Sequence, residues 1–162
     1  MIKKVMIAVL ILAFALCLAG CGTSEQTEEL NADQTVSESK AQGKTTEMKL
    51  FIGEEEVNVE WENNDAVAAL GELVQNQPLT IEMSMYDDFE QVGGLGTSLP
   101  AEDKQITTEA GDIMLYSGDS IVVFYGSNSW SYTPLGKITD KSPEEMAELL
   151  GQGDVTITIN QE

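Results

Sequence analysis

The chain has 162 residues, of which 42% are hydrophobic, a share that suits one globular domain with appended segments. Eight lysines oppose 28 acidic residues, and the net charge of −20 disfavours binding of nucleic acid or anionic headgroups by the folded part. Because the chain contains neither histidine nor arginine, serine–histidine and cysteine–histidine catalysis are excluded, and a typical zinc site lacks its usual ligand.

The first twenty residues have the features of an export signal. Lys3 and Lys4 precede the fifteen apolar residues 5–19, a run shorter than the about 20 residues that span a bilayer. The run ends in Leu18-Ala19-Gly20-Cys21, which resembles the lipobox of bacterial lipoproteins; an ordinary secretory signal that contains a cysteine is the alternative. The resemblance implies a diacylglycerol on Cys21 and export to the outer, extracytoplasmic face of the bacterial cell membrane.

Residues 21–48 are predicted to be the lipidated cysteine and a disordered tether. They are rich in Ser, Thr, Glu, Gln and Asn and contain no aromatic residue, so they cannot bury enough surface to offset the entropy of ordering. Cys17 lies in the predicted signal, which leaves Cys21 alone and no disulfide. The folded domain is expected to cover residues 49–162.

That domain is predicted to begin with a hairpin and a helix. Residues 48–52 and 56–61 flank a Gly-Glu-Glu turn, and the second run alternates apolar and polar residues, as half-buried strands do. Asn64 is placed to cap a helix whose apolar residues recur at helical spacing. Residues 79–85 alternate in the same way as 56–61, which predicts the next strand.

Two loops are predicted after that strand. Residues 86–90 combine two aromatics with three acids and indicate a solvated turn; a calcium site is the alternative, although the usual loop pattern is missing. The glycines of 93–96 indicate a flexible loop; a phosphate cradle is the alternative, although no helix pattern follows to hold the anion.

The second half of the domain contains the densest strand-forming sequence. Turn residues separate two β-branched and aromatic runs, and a Ser-Pro-Glu-Glu capping box with a following glycine marks a helix. The predicted elements are a short strand at 105–107, a hairpin of 113–116 with 121–125, an alternating strand at 130–133, a helix from Ser142 to Gly151 and a last strand at 154–160.

About eight short strands and two helices favour an antiparallel barrel. The stretch 98–138 is also similar to bacterial cyclophilin-like fold proteins, most specifically at Ala110-Gly111-Asp112-Ile113 and at 125–132. The resemblance covers residues 49–159. It implies a mainly β fold, a closed eight-stranded cyclophilin-like barrel capped by two short helices.

Fold similarity alone does not assign activity. Cyclophilins isomerise prolyl peptide bonds with an arginine whose planar guanidinium bonds the twisting peptide, and a lysine does not offer that geometry. We therefore expect a non-catalytic module that binds a peptide, an exported protein or a small apolar ligand, with no cofactor, metal or catalytic residue. A divergent peptidyl-prolyl isomerase acting on exported proteins is the alternative, and a structural surface protein is a third possibility.

Aromatic side chains near the small, polar loops are the candidate ligand site, because they combine apolar area with a hydrogen-bonding tip. Alternation places Trp130 and Tyr132 on one face. The other reading is that these rings plug the barrel ends, and Phe124 and Trp61 are assigned to the core. The candidate ligand-binding residues are Tyr86, Phe89, Tyr125, Asn128, Trp130 and Tyr132.

Overall fold

The computed structural model describes residues 47–161, which form ten strands and two helices. The elements are β1 (Met48–Ile52), β2 (Glu55–Val57), β3 (Val59–Trp61), α1 (Asp65–Val74), β4 (Leu79–Tyr86), β5 (Glu90–Gly94), β6 (Lys104–Thr107), β7 (Asp112–Tyr116), β8 (Ser120–Phe124), β9 (Ser129–Ile138), α2 (Pro143–Leu150) and β10 (Val155–Gln161). No helix in this part of the chain is long and apolar enough to cross a membrane.

The predicted signal (1–20), Cys21 and the tether as far as residue 46 lie outside the described residues. The tether was predicted to reach residue 48, but β1 begins at Met48. The Met48 side chain is buried in the core, so the last residue of the predicted tether belongs to the sheet.

The strands form a nearly closed antiparallel barrel with the order β2-β1-β10-β4-β5-β8-β7-β9-β3, and β6 pairs with β9. The two end strands of this path, β2 and β3, are separated only by Asn58. Its backbone N–H donates to Asp140 Oδ1 (3.0 Å), and its carbonyl oxygen accepts from Thr139 N (2.9 Å). The predicted mainly β antiparallel barrel with two short helices is confirmed. Its path has nine strands rather than the eight predicted, because β2 and β3 are separate, β5 was not among the predicted strands and β6 lies off the path.

The interior of the barrel is filled by side chains rather than left as a ligand cavity. Apolar residues alternate inward along the strands, and the buried faces of both helices join them. A ligand site is therefore to be sought on the outside of the barrel. The largest fully buried residues of this main core are Leu50, Leu70, Met83, Ile113, Leu115, Ile121, Leu135, Met146, Leu150, Ile157 and Ile159.

Both helices begin at the predicted caps. The Asn64 side chain accepts from Val67 N (3.0 Å), and its Nδ2 donates to Pro134 O of β9 (2.8 Å), which also ties α1 to the barrel. At α2, Ser142 Oγ accepts from Glu145 N (3.3 Å), and Glu145 Oε2 accepts from Ser142 N (2.7 Å). This is the predicted capping box, and it satisfies backbone donors that a helix start leaves open.

The glycine-rich segment 93–96 was predicted to be a flexible loop, and for its first two residues this was wrong. Gly93 and Gly94 belong to β5 and pair with β8. A Cβ atom on Gly93 would lie 2.5 Å from both Ile81 Cγ2 and Met83 Sδ. Glycine is needed at this position because β4 side chains approach the backbone closely, not because the segment is flexible.

Candidate functional site

Two apolar clusters lie on opposite faces of the wall formed by β5, β8, β7 and β9. Along β8, Ile121 and Val123 belong to the main core, whereas Val122 and Phe124 belong to a second cluster. Successive side chains of a strand point to opposite faces, so the second cluster lies on the outer surface of the barrel. Its buried members are Met114, Val122, Phe124 and Tyr132, against which Phe89, Val92 and Ile106 pack.

Aromatic rings dominate this outer cluster. Phe124 and Tyr132 meet edge to face with 5.5 Å between ring centroids, and Tyr116 meets Tyr132 at 6.1 Å. Tyr86 and Phe89 form another edge-to-face pair at 6.4 Å, and Phe89 packs on the cluster. We call this surface the outer aromatic face and define it by Tyr86, Phe89, Phe124, Trp130 and Tyr132.

Trp130 lies at one border of this face. Trp130 and Tyr132 are two residues apart on β9, so their side chains point to the same side of the strand. The residue paired with Trp130 on β6 is Ile106, which packs on the second cluster. The most exposed rings on this side of the barrel are Trp130, with 56% of its surface accessible, and Tyr86, with 59%. The predicted residues Tyr86, Phe89, Trp130 and Tyr132 thus lie on the same side of the barrel.

Asn128, another of the predicted site residues, orients the Tyr132 hydroxyl. Its Nδ2 donates to Tyr132 Oη at 3.1 Å. Asn128 is itself held by Thr108, because Asn128 N donates to Thr108 Oγ1 (3.0 Å) and Asn128 O accepts from Thr108 N (2.8 Å). The buried Tyr132 ring therefore has a fixed position and a polar tip.

Tyr125 is set apart from the other predicted site residues. Its ring packs against the main core, next to Gly151 at the end of α2. Burial, and after it the negative charges of Asp88 and Glu90, raise the pKa of its hydroxyl. Its hydroxyl oxygen is buried and has no hydrogen-bond partner within residues 47–161.

Glu90 is the residue of this surface that the sequence did not reveal. It was expected in a solvated acidic turn, and that was wrong: it opens β5 and keeps only 6% of its surface exposed. Its cross-strand neighbours are Tyr86 on β4 and Phe124 on β8. Since residues directly opposite each other share a face, the Glu90 carboxyl lies between the two groups of aromatic rings.

The next residue explains why Glu90 must face outward. Gln91 points into the barrel, where its Nε2 donates to Leu150 O (2.6 Å) and to Gly153 O (2.7 Å) at the end of α2. These bonds fix the orientation of β5. The alternation of side chains along a strand then places Glu90 on the outer face.

The carboxyl of Glu90 is buried without a partner. Neither carboxyl oxygen accepts or donates a hydrogen bond to another described residue, and Oε2 is wholly out of solvent. Burial, with a smaller contribution from the charge of Asp87, raises its pKa from 4.5 to about 7. Perturbed carboxyls of this kind are concentrated at functional sites, although structural causes also produce them.

An open cavity of about 320 Å³ lies elsewhere, between the end of β5 and the turn before β8. Small polar residues line it, and the Asp119 carboxylate makes it unsuited to phosphate. Within residues 47–161, no group of three or more carboxylates or thiols is arranged to hold a metal ion. The cavity is lined by Gly94, Gly96, Thr97, Ser98, Asp119 and Ser120.

Comparison with known proteins agrees with this geometry. The model of the cyclophilin-like family matches residues 50–160, which is most of the chain and nearly all of the barrel. The chain belongs to the cyclophilin-like family. No curated protein and no solved structure matches it.

For a cyclophilin-like domain, the outer aromatic face offers a surface suited to binding. Exposed rings supply apolar contact area, and the Tyr132 hydroxyl and the Glu90 carboxyl supply polar groups. At neutral pH the carboxyl can both release and take up a proton, because its pKa lies near 7. The face therefore combines the capacity to hold a ligand with one titratable group.

Proposed function

We propose that the chain is an exported lipoprotein, anchored to the outer face of a bacterial cell membrane through Cys21, whose cyclophilin-like domain binds a peptide or small apolar ligand without catalysis. The observation that carries the proposal is the outer aromatic face, where two exposed rings border a buried aromatic cluster on the outside of a packed barrel. Exposed aromatic residues over a well-packed base are typical of binding hot spots.

The absence of arginine and histidine from the chain supports binding over catalysis. A lysine ammonium is a point charge and lacks the planar pair of N–H donors with which a guanidinium hydrogen-bonds a peptide. Of the lysines in the barrel, Lys137 pairs with Asp112 (2.8 Å) and Lys141 with Glu55 (2.8 Å). These two cations are engaged in structural ion pairs.

Binding is tested with the full-length chain in detergent and fluorescent pools of acetylated pentapeptide amides of mixed sequence. Trp130→Ala and Tyr86→Ala each remove an exposed ring, so the fold is retained and the affinity is expected to fall about tenfold or more. Leu73→Ala on α1 is the matched control, because Leu73 is also an exposed apolar residue, and it should leave the affinity unchanged. The assignment fails if both ring variants bind as the unaltered chain does, or if no pool binds.

The anchor is tested separately by labelling cells with a fatty acid analogue. Cys21→Ser is expected to abolish labelling and release the chain from membranes, because a thioether to diacylglycerol needs the thiol. Cys17→Ser is the matched control, since it removes a cysteine from the predicted signal and should retain both properties. Membrane association that survives Cys21→Ser contradicts the anchor.

A divergent prolyl isomerase is the second candidate, and Glu90 is the observation that favours it. Below about pH 7 its carboxyl is neutral and can donate a hydrogen bond to the nitrogen of a twisting amide. Exchange of a prolyl peptide measured by NMR decides the matter. Isomerisation that declines above pH 7, loses this pH dependence in Glu90→Gln, whose neutral amide still donates, and is lost in Glu90→Met would replace the non-catalytic proposal.

A further inference from the structure

Glu90 is an incomplete polar site within the outer aromatic face. The residue is 94% buried, since 6% of its surface remains exposed, and none of its carboxyl oxygens has a partner among the described residues. Ionised carboxylates are rarely buried unless a cation or several donors accompany them. A cation brought by a ligand would satisfy this carboxylate, and a proton would neutralise it.

The charges around Glu90 favour a cation over a neutral donor. Asp87 lies in the turn that leads into β5, and its negative charge acts on Glu90. The Tyr125 hydroxyl also interacts electrostatically with Glu90. From β9 the titratable neighbour is the Tyr132 hydroxyl. Lys104 lies opposite Tyr132 on β6 and is exposed to solvent. The charge that acts on Glu90 is therefore the negative charge of Asp87.

The aromatic rings favour the same type of ligand. The negative π-faces of tyrosine and phenylalanine attract ammonium and guanidinium groups, and the aliphatic stem of a lysine or arginine packs well on such rings. Tyr86 lies directly opposite Glu90, is mostly exposed and rests edge-on against Phe89.

We propose that the outer aromatic face selects peptides that carry a lysine or arginine, whose charged group pairs with the Glu90 carboxylate while its stem lies on Tyr86 and Phe89. This selectivity rests on the proposed binding function and specifies its substrate class. The incoming cation supplies the donors that the buried carboxylate lacks, and the negative charge of Asp87 reinforces the attraction.

The test uses the full-length chain in detergent and four pools of acetylated pentapeptide amides whose central residue is arginine, lysine, citrulline or norleucine. At pH 8 the two cationic pools are expected to bind about tenfold more tightly than the two neutral pools, as charge-assisted hydrogen bonds allow. The preference should shrink towards pH 6 as Glu90 becomes protonated. Glu90→Gln should remove it, and the exposed control Glu72→Gln should keep it.

Each result bears on the proposal in a defined way. If all four pools bind equally and Trp130→Ala weakens them all, the cation preference is overturned while the binding function stands. If Glu72→Gln reduces the preference as much as Glu90→Gln does, the net charge of the chain is responsible and the proposal is wrong. If no pool binds, both proposals fail. The pH dependence of the unaltered chain tests Glu90 even if Glu90→Gln does not fold.

Discussion

The substitution Glu90→Gln is expected to stabilise the fold at pH 8 and to have a much smaller effect at pH 5. In the folded chain the pKa of Glu90 is raised to about 7, mainly by burial, whereas the ordinary value is 4.5. Between these two pH values the folded state holds a proton that the unfolded state has already released. Stability contributed by this group therefore falls as pH rises through this window and is lowest above pH 7.

The size of the effect follows from the shift. A difference of about 2.5 pKa units, from 4.5 to about 7, corresponds to at most about 3 kcal/mol of unfolding free energy. Glutamine has nearly the same shape and stays neutral at every pH. The stability difference between the variant and the unaltered chain should then grow from about 1 kcal/mol at pH 5 towards this limit at pH 8.

Urea unfolding followed by tryptophan fluorescence at pH 5, 6, 7 and 8 measures this difference. Trp61 is a suitable reporter, because its ring packs on the main core and its Nε1 donates to Met48 O (3.0 Å). The other acids titrate alike in both chains, so the subtraction isolates Glu90. A difference that stays constant from pH 5 to pH 8 would refute the reasoning.

Three further substitutions test the local structure by unfolding free energy. Gly93→Ala should cost about 1–3 kcal/mol, because its Cβ would overlap β4 side chains, whereas Gly94→Ala, with nothing within 4 Å, should cost much less. Asn64→Ala should cost about 1–2 kcal/mol, since it removes the α1 cap, and its exposed neighbour Asn63 serves as the control. Ser142→Ala should cost about 1 kcal/mol through loss of the α2 capping box; an unchanged midpoint in any of the three cases contradicts the corresponding contact.

Most of the barrel could be predicted because its signals are local. The alternation in β4 and β10 and the caps at Asn64 and Ser142 depend on neighbours a few residues apart in sequence. β5 could not be predicted in this way, since Gly93 is required by contacts with β4 and looks like a loop residue in isolation. A strand or helix can thus be predicted from the sequence when its own residues carry the alternation or the capping residues.

The aromatic residues show where the same reasoning ends. Phe124 was assigned to the core, and its side chain is fully buried, but it lies in the outer cluster, while the next residue, Tyr125, faces the main core. Strand parity predicts that two successive residues face opposite ways, but it does not tell which face is inside when both faces are covered. The burial of Glu90 likewise depends on its pairing with Tyr86 and Phe124, which are not adjacent to it in sequence.

The charge state of Glu90 also separates the two proposed functions. An ionised carboxylate attracts a cationic side chain but cannot donate a hydrogen bond, whereas the neutral acid can donate to an amide yet has lost its attraction for the cation. Because the pKa lies near 7, binding of basic peptides should strengthen as pH rises from 6 to 8, and any prolyl isomerisation by this group should weaken over the same range. The two pH profiles therefore have opposite slopes, and measuring both on one preparation of the full-length chain distinguishes a binding module from an isomerase without any substitution.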